Sequence, residues 1–101
     1  MNEGSLMPSK RRPIDREAAE AMAIQGLAFL AEEPARLHRF LLATGLQAAE
    51  IRARAGSPEL MSAVLEHLAS DESLLLVFAA SRQIAPDSIA PAIRALQVAP
   101  P

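Results

Sequence analysis

Two histidines and a few carboxylates are the residues of this chain best suited to bind a metal or move a proton. His67 and Asp71 stand four apart, one helical turn, with Glu66 and Glu72 beside them. That spacing supplies two ligands on one face, whereas protein metal sites are built from three or four. No second histidine falls at ligand spacing, the chain has no cysteine, and Asp71 already has a use as the N-cap of the segment after it. His38 lies beside Arg39 and reads as a surface residue. The serines sit in no Gly-x-Ser-x-Gly context, and the four glycines are too dispersed to form a phosphate loop. The residue pattern therefore points away from an enzyme, and it implies no metal, no cofactor and no small-molecule substrate.

The cationic residues suggest more. Residues 1–13 are basic, 14–33 acidic, 34–56 basic and the remainder acidic, with an overall charge of −2. Sign alternation of this kind most often reflects neighbouring helices exchanging surface ion pairs. Within the second basic block, Arg36, Arg39, Arg52 and Arg54 are the candidates for contact with a partner or a polyanion. Leu41, Gly45, Leu46 and Ile51 follow a helix-turn-helix-like spacing over residues 34–56. In that reading Arg52 and Arg54 would reach bases or phosphates while Arg36 and Arg39 held the backbone. Against it, the second helix must stop at Gly56, Arg54 occupies a position where the motif wants an apolar anchor, and the chain is acidic overall. A non-enzymatic protein-interaction module with an unidentified protein partner is the leading expectation, and nucleic-acid binding is the alternative.

The elements that must position these residues are helical. Half the residues are apolar but only 3% are aromatic, with no Trp or Tyr, so the core has to come from Leu, Ala, Ile, Val and Met, a helix-packing composition. The stretch from Asp71 to Ser81 includes Leu74, Leu75, Leu76, Val77, Phe78, Ala79 and Ala80, leaving no polar face. A helix apolar all round is expected to be surrounded. This predicts an all-α, compact bundle of five or six short helices around a central helix at about 71–83.

Caps and breakers divide the rest. Asp15 starts a first helix running to about Glu32, with Ala19, Met22, Ala23, Gly26, Leu27 and Leu30 at helical spacing; Ile24 and Phe29 fall off that stripe. Gly26 there is either a mild weakness or a place of close backbone approach. Pro34 opens a second helix to about Thr44, with Leu37, Phe40 and Leu41 inward and Arg36 and Arg39 sharing an outer face. Gly45 ends it in a left-handed conformation, Leu46 folding back as in a Schellman cap. A short third helix, about 47–55, stops at Gly56. Ser57-Pro58-Glu59 starts a fourth carrying Met61, Val64, Leu65 and Leu68. The last segment, 89–98, holds Ile89, Ile93 and Leu96, and Pro91 requires it either to start near that residue or to kink there. Residues 1–13 read as a disordered basic arm, 14–98 as a single helical domain and 99–101 as a frayed tail. The first residues lack an apolar leader and no run is long enough to span a bilayer, so the expected location is the cytoplasm.

An ordered series of these turns and caps carries a family resemblance. Ala28 through Pro34, the spacing of Leu37 and Phe40, Gly45-Leu46, Ile51 through Gly56, Pro58, Val64 through Leu68, and Asp71 through Leu75 with Phe78 resemble a small bacterial family catalogued as domain of unknown function 3572. The resemblance covers about residues 16–96. It implies a compact all-helical domain of bacterial origin, and it assigns no catalytic or binding residue.

Overall fold

The first five helices begin where a polar side chain or a proline can satisfy or remove the first backbone donors. Asp15 accepts from the Ala18 amide at 2.8 Å and opens α1, Arg16–Ala31. Pro34 is the first residue of α2, Pro34–Thr44. Gln47 and Glu50 cap each other reciprocally at the start of α3, Ala48–Ala53, with the Gln47 amide donating to Glu50 Oε1 at 2.9 Å. Ser57 Oγ takes the Leu60 amide at 3.1 Å ahead of α4, Pro58–Ala69. Asp71 Oδ1 takes the Leu74 amide at 3.2 Å ahead of α5, Glu72–Arg82. A 3-10 turn at Pro86–Ser88 leads directly into α6, Ile89–Gln97. The computed structural model describes residues 14–97, among which there is no strand; the expected basic arm, 1–13, and frayed tail, 99–101, lie outside the described residues. The fold is an all-α bundle.

Pro91 does not interrupt the last helix. It is the third residue of α6, inside the first turn, where amides have no intrahelical acceptor to lose. Gly45 has φ 76° and its amide donates to Leu41 O at 2.8 Å, the left-handed ending expected from sequence. The Leu46 amide, however, goes to Thr44 Oγ1 at 3.3 Å, so the threonine hydroxyl replaces the second bond of a Schellman cap. That second bond occurs instead at the end of α5. There Gln83 adopts φ 55° and the Ile84 amide reaches Ala79 O at 2.9 Å. Gly56 is not in the left-handed region, and α3 ends at Ala53, before it.

The centre of the bundle is α4, packed with α1 and α6. Leu60, Met61, Val64, Leu65 and Leu68 are buried along α4, Ala19, Ala23, Gly26, Phe29 and Leu30 along α1, and Ile89, Ala92 and Leu96 along α6. Small residues let α1 and α4 approach closely: a Cβ added at Gly26 would lie 2.9 Å from Val64 Cγ1 and 3.0 Å from Leu68 Cδ1. Of the two sequence readings of Gly26, close approach is therefore the one that holds.

The expected central position of residues 71–83 is corrected by this packing. On α5 only Phe78 and Ala79 are buried; Leu74 and Leu75 are half-buried, and Leu76 and Val77 are 48% and 50% exposed. The physical reason is α6. Its first turn tolerates the proline, and it fills the place against α1 and α4 that an all-apolar α5 was expected to occupy. Helix α5 then packs from one side, with the Phe78 ring tilted 57° on Phe29 at 5.3 Å.

Candidate functional site

The four arginines do not converge on one face. The Arg36 guanidinium lies over the Phe29 ring, 4.0 Å from its centroid, donates to Phe29 O at 3.3 Å and pairs with Glu33 at 3.4 Å. It adds a second donor to a carbonyl that the Glu32 amide already reaches at 3.3 Å, and it covers an aromatic face. The expectation that Arg36 and Arg39 share an outer surface is thereby corrected. Arg36 turns inward because the tight link from α1 to α2 brings it back onto Phe29, seven residues earlier. Arg39 is exposed. Arg54, the C-cap of α3, lies 4.0 Å from Glu50 and lines a cavity of about 210 Å³ with Thr44, Leu46, Glu59, Leu60 and Ala63. Arg52 lines a different cavity, of about 250 Å³, with Leu27, Ala31, Leu37, Ala48 and Ile51. Arg52, on α3, and Arg54, which caps its end, thus face different cavities.

This geometry bears on the helix-turn-helix-like spacing. Helix α3 has six residues and no buried side chain, whereas a recognition helix is held rigidly by apolar anchors so that its side chains arrive in register. Ile51, the expected anchor, is half-buried and forms part of a cavity wall.

Ion pairs among the described residues join both near neighbours and separate helices. Arg36–Glu33 and Arg54–Glu50 are local, while Arg82–Glu32, at 2.8 Å, ties the end of α5 to the end of α1. Arg82 also lies 5.8 Å from the Phe29 centroid, so Phe29 carries Phe78 and two guanidinium groups around it. These contacts hold α1, α2 and α5 together at one end.

The carboxylate and histidine group near Asp71 is occupied by structure. His67 packs edge-on against Phe40 at 5.3 Å, and burial lowers its pKa below the ordinary histidine value, with Asp71 acting in the opposite direction. Glu66 accepts from Gln97 Nε2 at 3.1 Å, joining α4 to the end of α6. Among the described residues no group of three His, Cys, Asp or Glu side chains could hold a metal ion, and no helix is long and apolar enough to cross a membrane.

Two features escaped sequence reasoning. One is the exposed face of α5, where Ser73, Leu76, Val77 and Ala80 are all exposed at i, i+3, i+4 and i+7. The other is the apolar cavity beside Arg52. The apolar run at 74–80 was the available signal for the first; the second depends on how three helices meet and has no local signature.

No curated protein and no solved structure matches the chain. The family described as Protein of unknown function (DUF3572) matches residues 16–99, from the start of α1 to beyond the end of α6, and the chain belongs to that family.

Proposed function

We propose that this protein is a non-enzymatic protein-interaction module working in the cytoplasm, and that α5 presents the surface a partner covers. The observation that carries the reading is the stripe of Ser73, Leu76, Val77 and Ala80. Isolated exposed apolar residues are ordinary, but two adjacent large ones flanked by small residues along one helix face form a shape into which another helix can lie. About half of each side chain is still exposed, so covering Leu76 and Val77 would contribute up to about 1 kcal/mol each. Phe78 and Ala79 anchor the opposite side of the helix, so the stripe is presented on a fixed element. Nucleic-acid contact through residues 34–56 is the weaker reading, because Arg36 is committed to Phe29 and Glu33 and α3 is short and shallowly seated.

The test is affinity capture from native extract with nuclease present, comparing wild type with the Leu76→Glu/Val77→Glu double variant. Both should have the same helical content. Proteins held by the wild type and lost by the variant support the reading. Equal retention by both, or recovery of nucleic acid with proteins lost on nuclease treatment, would overturn it.

A further inference from the structure

At the corner where α1, α2 and α3 meet, five of the six side chains lining the 250 Å³ cavity are apolar: Leu27, Ala31, Leu37, Ala48 and Ile51. Leu27, Leu37 and Ile51 pack on the core yet remain half-buried, so the core is open at this point. An apolar cavity of roughly 150 Å³ accepts a benzene molecule, and this one therefore has room for a large aliphatic or aromatic side chain. Arg52 is the charged group on its wall.

The charge at that wall is not neutralised from within. Arg52 is exposed and makes no ion pair among the described residues, while the carboxylates of the adjoining segments are engaged elsewhere: Glu32 with Arg82, Glu33 with Arg36 and Glu50 with Arg54. A guanidinium in this position offers a planar fork that matches a carboxylate. Helix α3 is held by its own capping box and has no buried side chain, so its Arg52 faces the cavity mouth from an exposed element.

We propose that this corner docks an acidic protein segment, which inserts one large apolar side chain between Leu27, Leu37 and Ile51 and sets a neighbouring carboxylate against Arg52. The inference rests on the protein-interaction reading and adds to the α5 stripe a second surface with a stated partner chemistry.

The experiment is selection of a random displayed peptide library on the full chain, with an Arg52→Glu chain for counter-selection. Arg52 is exposed, so the substitution should leave the fold intact, as circular dichroism will show. The expected peptides carry Asp or Glu beside a large apolar residue and bind wild type about tenfold or more tightly than Arg52→Glu. They should also shift the amide resonances of Leu27, Leu37 and Ile51. Recovered peptides that are basic, or that bind Arg52→Glu equally well, overturn the inference. Peptides that map to α5 and are lost with Leu76→Glu/Val77→Glu also overturn it, while leaving the interaction reading standing. A second arm uses octanoate as probe: if it shifts the same three amides while the library yields no binder, the corner takes a small amphiphile and the docking inference fails. Binding in neither arm overturns it as well.

Discussion

Helices α4 and α5 are close in length and neighbours in sequence, and both are rich in leucine, yet they occupy opposite situations. Helix α4 has five buried residues on one face, with Glu66 directed to Gln97 on the polar side. Helix α5 is the more uniformly apolar over 74–80 but has only Phe78 and Ala79 buried. What separates them is partners: α4 is packed against α1, α2, α5 and α6, whereas α5 meets the bundle along one side. Apolar content thus set how much burial α5 could use, and the arrangement of the other helices set how much it received.

The largest effects that could break this contrast are truncations of the anchors. Phe78→Ala should cost about 3–5 kcal/mol and Leu65→Ala about 2–5 kcal/mol in urea unfolding, because both side chains are fully buried. Leu76→Gln should fall within about 0.5 kcal/mol of wild type, and a cost comparable to that of Leu65→Ala would erase the distinction between the helices. Gly26→Ala gains helix propensity but forces a Cβ against β-branched Val64 and against Leu68. It should destabilise by about 1–3 kcal/mol, and a stabilised variant would show that α1 and α4 can move apart.

Smaller effects sharpen the picture at the helix ends. Gln83 is a non-glycine residue at φ 55°, a conformation that costs about 1 kcal/mol for a residue with a Cβ, so Gln83→Gly should raise stability by up to that amount. Thermal unfolding would detect the gain, and a loss would mean that the Gln83 side chain makes a compensating contact. For His67, burial holds the folded-state pKa below the unfolded value near 6.5. The unfolded chain therefore binds the proton more readily, and stability present above pH 6.5 should decline as pH falls through the lowered pKa. His67→Gln should remove that slope between pH 7 and 5, and an unchanged slope would assign it to other groups.

Much of the fold was legible because caps are local. Asp15, Ser57 and Asp71 each bond an amide three residues on, and no tertiary contact is needed to foresee that. Gly45 was legible for the same reason. The position of α5 was not, because it depends on whether a proline-containing segment forms a good helix, and Pro91 succeeds only by falling within the first turn of α6. Of the candidate site, the outward placement of Arg39 was legible, and that residue is exposed. The inward turn of Arg36 was hidden because the sequence does not show that the link at Glu32 and Glu33 returns the chain onto Phe29. The cavity beside Arg52 was hidden more completely, since its walls come from three helices.

Native-state hydrogen exchange tests the central claim most directly, because it ranks the helices by the free energy of opening each amide. With α4 at the centre of the bundle, the amides of Val64, Leu65 and Leu68 should exchange slowest, near the global unfolding limit, and those of Leu76 and Val77 should exchange measurably faster through opening of α5 alone. Slowest exchange at Leu76 and Val77, with α4 opening first, would contradict the account and restore α5 to the centre.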